Sequence, residues 1–260
     1  MLSAKRHQSS RQDHIAIRVY HADFAKLIGW PEQPPLFSLL LTSDNPLFNS
    51  GCVYLAEQDE LFVMSDLLQS TSSSRLPSIL ISRISFERGE RSANDADGHQ
   101  PRDIIVARWA KLRPPAEIPM PSGAVAYQKG VLFCSQGAPH EPQSGGLWYM
   151  PLRRPPTAVL TSFFGRPFSS PQDVALGRGS SGDAGALWFV DSAAGFERGI
   201  RPPPQLASQV YRFDTGTGDL RVVADGFGRP MGIALSPAED TAYVTDTAAA
   251  RPDGSVDPTL

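Results

Sequence analysis

The stretch that decides the fold is residues 163–214, FFGRPFSSPQDVALGRGSSGDAGALWFVDSAAGFERGIRPPPQLASQVYRFD. Within it, residues 173–176 and 186–191 are short apolar runs rich in β-branched and aromatic side chains, joined by a Gly/Ser/Asp turn long for a hairpin. Residues 208–214 and 219–224 form a second pair that turns through Thr-Gly-Thr-Gly. Four successive short strands predict one small antiparallel sheet.

Working outward, the first pair of that unit recurs. GCVYLAEQDELFVMSD (51–66), GAVAYQKGVLFCSQ (123–136), QDVALGRGSSGDAGALWFVD (172–191) and MGIALSPAEDTAYVTD (231–246) each hold an apolar strand, a polar turn and a second strand closing on Asp66, Gln136, Asp191 or Asp246. Outer pairs are expected at 78–86 with 104–109, 147–151 with 158–162, and 210–214 with 220–224. Four-stranded sheets repeating at this spacing predict a β-propeller, whose sheets stack radially. The fourth copy has no outer pair before Leu260, so about three and a half blades are expected, in a propeller incomplete at its C-terminal side. An open arc exposes apolar faces and strand edges, which predicts self-association or a covering partner. The expected division is an N-terminal segment, 1–34, partly disordered and weakly helical near 22–29, then a propeller domain, 35–260. Residues 36–42 (LFSLLLT) read as a strand buried on both faces, while 69–75 and 87–102 read as loops.

A net charge of −3 gives no electrostatic reason to expect nucleic acid or an anionic membrane as partner. No apolar run reaches the length of a membrane span, and no signal-peptide core is visible, which leaves localisation open and intracellular by default. Cys52 and Cys134, each inside an apolar run, are expected as buried free thiols. His7, His14, His21, His99 and His140 lack metal-ligand spacing and read as surface residues. The glycine-rich 177–185 lacks the lysine of a phosphate loop and reads as a hairpin turn. Trp148, Trp188, Phe189 and Tyr211 are expected to pack between sheets.

The segments GRPFSSPQDV, GFERGIRPPPQLASQVYRFDTGTGDLRVVADGF and RPMGIALSPAEDTAYVTDT resemble the SMP-30/gluconolactonase family, in particular its fungal lactonohydrolase-like branch, over about residues 35–257. The resemblance implies a six-bladed propeller, calcium in the central channel, and hydrolysis of sugar or related lactones, a carboxylic-ester hydrolase chemistry. A divalent cation polarises a lactone carbonyl while a neighbouring carboxylate serves as base or nucleophile. The resemblance also places the family's metal ligands on residues that differ here. Its glutamate before the first inner strand falls on Ser50, the asparagine of its SPND motif on Gln172, and the asparagine of its PNGI motif on Met231. Serine lacks the charge, glutamine displaces the carbonyl outward, and a thioether does not suit calcium. Weak or lost calcium binding and impaired hydrolysis are the expectation, with an inactive fragment serving as a binding module as the alternative. Asp173 reads first as a turn cap bonding neighbouring amides, and second as a residual acid/base.

Overall fold

In the computed structural model, the described residues are 3–4, 41, 43–68, 78–89, 104–139, 141, 145–179 and 185–248. The expected helix at 22–29, the strand at 36–42 apart from Leu41, the loop at 69–75 and all five histidines lie outside them. The chain divides into two compact units, Met1–Asp44 with Phe86–Trp109, and Asn45–Ser85 with Ala110–Leu260. In the first, β1 (Ser3–Ala4) pairs antiparallel with β5 (Ile104–Leu112), whose other neighbour is the end of β4 (Ile81–Arg88). β4 runs as far as Arg88, two residues into the stretch read as loop.

Among its described residues, the second unit is all-β apart from one short helix. Its strands β2 (Ser50–Leu55), β3 (Glu60–Met64) and β4 pair in that order. A four-stranded meander follows: β6 (Pro121–Tyr127), β7 (Gly130–Ser135), β8 (Gly146–Pro151) and β9 (Thr157–Leu160). The small hairpin β10 (Ser162–Phe163) and β11 (Arg166–Pro167), where the sequence suggested only a strand end, leads into a second meander. That meander contains β12 (Pro171–Arg178), β13 (Gly185–Asp191), β14 (Gln209–Asp214) and β15 (Leu220–Ala224). The hairpin β16 (Pro230–Leu235) and β17 (Ala242–Asp246) completes the described strands. All four repeat copies are therefore antiparallel hairpins in the expected places.

Side-chain alternation explains why the second strand of a sheet is so apolar. On β7, Val131 and Phe133 enter one core with Phe62 and Met64, whereas Leu132 and Cys134 enter another with Leu187, Phe189 and Tyr211. On β13 the same switch occurs, with Leu187 and Phe189 on one side and Val190 on the other with Val210 and Ile233. The two four-stranded sheets are thus each sandwiched by their neighbours, and the cores are the layers between them. Phe189 stacks on Tyr211 at 5.2 Å, and Phe168 meets both rings edge-on. Trp148 and Trp188 lie half-buried at the margins of their cores, the latter beneath the Arg212 guanidinium.

The turns use short polar side chains where the backbone needs partners. Asp214 Oδ1 accepts from the Gly216 and Thr217 amides at 3.1 Å each, closing the Thr-Gly-Thr-Gly turn. At two of the second strands the closing carboxylate has the same use: Asp191 accepts from the Ser169 and Ser170 amides, at 2.9 and 2.6 Å, and Asp246 from those of Gly228 and Arg229, at 2.8 Å each. These carboxylates hold the chain as it enters the first strand.

One expectation is corrected. Cys134 is buried, but Cys52 is exposed. The pairing of β2 with β3 shifts register between Ser50 and Val53, and Gly51 takes a φ of 59°. Past this bulge the strand alternates, with Cys52 and Tyr54 on the outward face and Val53 and Leu55 buried.

Candidate active site

Where the first strands begin, the second unit holds a cavity of about 210 Å³. Ser50, the neighbours Gln172 and Asp173, and Met231, drawn from three distant segments, all line it. Three of the strands open on proline, at Pro121, Pro171 and Pro230, and each first strand shifts register within its first few residues. Proline lacks an amide to offer a ladder, so it is tolerated at a strand's first residue and at bulges. The residue after each proline, Ser122, Gln172 or Met231, thereby faces the cavity.

Side chains tie each first strand to the next. Ser50 Oγ donates to the Ser122 carbonyl at 3.4 Å, and Ser122 Oγ donates to the Pro171 carbonyl at 2.7 Å. Asp173 Oδ2 accepts from the Ile233 amide at 3.1 Å. Asp173 is therefore more than a cap on its own turn, since it also reaches the neighbouring strand β16. Burial raises its carboxyl above the ordinary range, and the Ile233 and Val174 amides oppose that only partly. Gln172 is 4% exposed, and its Nε2 donates to the Ser170 carbonyl at 2.8 Å and to Ser170 Oγ.

Ser122 and Arg198 are among the contributors that escaped the sequence reading. Ser122 carries no charge and sits among small residues; its signal was the Pro-x-(Gly/Asp) opening shared by PSG, PQD and PMG. Arg198 lines the cavity from the end of helix α1 (Ala194–Glu197). That helix closes with the Gly199 amide donating to the Phe196 carbonyl at 2.9 Å and the Ile200 amide to that of Gly195 at 2.8 Å, with φ at Gly199 of 70°. This is the Schellman arrangement, in which a left-handed glycine stops the helix. The reversal leaves Arg198 at the cavity and sends Arg201, 6% exposed, inward to the carbonyls of Phe168, Ser169 and Ala138.

The donors available to a cation are of mixed quality. Asp66 and Asp173 are carboxylates, but Asp66 Oδ1 accepts from the Leu67 amide at 2.7 Å and Asp173 Oδ2 is engaged as described. Ser50 and Ser122 offer hydroxyls and Met231 a thioether. Among the described residues, no group of at least 3 His, Cys, Asp or Glu side chains is placed to hold a metal ion. Also among them, no helix is long and apolar enough to cross a membrane.

Sheets that begin around one polar cavity define a class of all-β proteins with a site at the openings of their first strands. The chain belongs to the SMP-30/gluconolactonase/LRE-like family, whose family model matches residues 88–252. It is similar to a lactonohydrolase, oryL, of Aspergillus oryzae, 28% identical over 130 residues, covering 47% of this chain and 29% of that protein. It is also similar to a gluconolactonase of Zymomonas mobilis, 30% identical over 107 residues, covering 40% of this chain and 28% of that protein. A solved gluconolactonase from Xanthomonas campestris superposes with a TM-score of 0.54 at 22% identity, covering 82% of this chain and 57% of that one. The matches thus span less than two thirds of these relatives' own lengths.

Proposed function

We propose that the chain binds a lactone or related cyclic ester in the cavity lined by Ser50, Gln172, Asp173 and Met231, and that the calcium-assisted hydrolysis implied by its family is weak or lost in it. Family membership and the similarity to a lactonohydrolase and a gluconolactonase support the ligand class. We read the stacked sheets as consecutive blades of a six-bladed propeller, with the first strands nearest the axis.

The observation that carries the proposal is the set of side chains at the strand openings. Calcium takes six to eight hard oxygen donors. Here the openings offer two hydroxyls, an amide whose nitrogen is bonded to Ser170, a thioether and one carboxylate held by Ile233; beside them the cavity is lined by Asn49, Ser65, Gln136 and Asp66, whose carboxylate already accepts from the Leu67 amide. A soft sulfur does not suit that ion, and hydroxyls bring it none of the charge a carboxylate would.

Residual turnover falls to Asp173. In this scheme its carboxylate takes a proton from the water that attacks the ring carbonyl, the ring C–O bond breaks, and the Asp173 carboxylic acid returns that proton to the departing oxygen to give the open hydroxy acid. The second reading, a binding module without turnover, is favoured by the engagement of Asp173 Oδ2 with Ile233. Assay of aldonolactone hydrolysis with calcium and with chelator, alongside calorimetric lactone binding, tests both. Lactone binding with little chelator-sensitive turnover is expected; rapid turnover abolished by chelator would contradict the proposal.

A further inference from the structure

The polar cavity has an apolar neighbour. A groove of about 390 Å³ is walled by Pro114, Pro115, Pro119, Met120 and Ile200. Ile79 and Arg198 line both the groove and the cavity. The two spaces therefore adjoin at one guanidinium and one sec-butyl side chain.

The groove is preformed. Prolines fix φ along the segment 113–120. Ile118 anchors it at 0% exposure, and its amide donates to the Pro115 carbonyl at 3.0 Å. The carbonyls of Met120 and Pro119 accept from the amides of Gln136 and Gly137, at 3.1 and 3.4 Å. Opposite, Gly199 and Ile200 are held by the Schellman turn that also sets Arg198.

We propose that this groove is the subsite for an apolar substituent carried by the cyclic ester whose ring occupies the polar cavity. The ligand class is then the hydrophobically substituted lactones, as opposed to polyhydroxylated sugar lactones. This rests on the lactone-binding function proposed above. Hydroxyls laid against proline and methionine walls lose water without gaining partners, whereas an alkyl chain gains there. Arg198 stands where the ring carbonyl, or the carboxylate formed on opening, meets the start of the chain, and a guanidinium matches either.

The test is a calorimetric titration of the full chain with γ-lactones of increasing alkyl length, repeated with Ala116→Trp. Ala116 is an exposed residue of the groove wall, where an indole fills the space without touching the cavity. Affinity should rise about fourfold for each methylene that enters the groove, and Ala116→Trp should flatten the series while leaving the shortest lactone's affinity unchanged. Binding of short lactones with no gain along the series in the unaltered chain overturns the groove's role and leaves the cavity's function standing. A gradient that survives Ala116→Trp also overturns it. Failure of every lactone to bind, short or long, overturns the cavity's function and this subsite with it.

Discussion

Asp173 on β12 accepts a hydrogen bond from the backbone amide of Ile233 on β16, 3.1 Å away and 60 residues on in the chain. A single carboxylate thus joins two sheets and lines the candidate site.

Its charge is kept at a cost to the fold, because burial raises the Asp173 carboxyl despite the amides that oppose this. Asp173→Asn keeps an acceptor for Ile233 and removes the charge, so it should leave stability at neutral pH unchanged or improved. Asp173→Ala leaves that amide without its partner and should cost about 1–3 kcal/mol. Urea unfolding of both variants checks this, and both should abolish any residual lactone hydrolysis.

Asp191 sets the pH response of stability. Burial raises its carboxyl from 3.8 to about 7, against the opposing effects of the Ser169 and Ser170 amides and Arg201. Between those values the folded chain holds a proton that the unfolded chain has released. Its contribution is full below 3.8 and is lost as pH rises to about 7. The urea midpoint should fall across that window by the equivalent of a few kcal/mol. Asp191→Asn, though less stable for want of a second acceptor, should show a flatter profile.

Gly123 is required by the close approach of β6 and β12. A Cβ there would lie 2.5 Å from the Gln172 carbonyl oxygen and 2.6 Å from the Asp173 Cα. Both are fixed backbone atoms, so Gly123→Ala must separate the strands. It should cost about 3 kcal/mol in thermal or urea unfolding and weaken lactone binding as well.

The thiols should react in two phases. Exposed Cys52 should be labelled promptly by a thiol reagent, while Cys134, whose thiol is pushed well up by burial, should react only on unfolding. Mass spectrometry of partly labelled protein distinguishes the sites.

These residues also show what was legible in the sequence. The hairpins were, because apolar runs such as GVLFCS and GALWFVD fall between turn residues and end on a polar side chain with a fixed task, as at Asp191 and Asp246. Ser50, Gln172, Asp173 and Met231 were reached through family motifs, and they share one cavity. Cys52 was misjudged because the apolar run CVYL reads as buried throughout, whereas the strand buries only Val53 and Leu55 and turns Cys52 and Tyr54 outward. Arg198 was missed because a four-residue helix has no periodicity to detect, and its direction depends on the turn at Gly199. The inward course of Arg201 was hidden for the same reason: its partners are backbone carbonyls of remote segments.

The most direct measurement is a calorimetric calcium titration of the unaltered full chain beside the triple variant Ser50→Glu, Gln172→Asn, Met231→Asn. The donor set of the cavity predicts no calcium site tighter than about millimolar in the unaltered chain, and a gain of affinity when carboxylate and amide oxygens are supplied. A single micromolar calcium site in the unaltered chain, abolished by Asp173→Ala, would contradict the proposal.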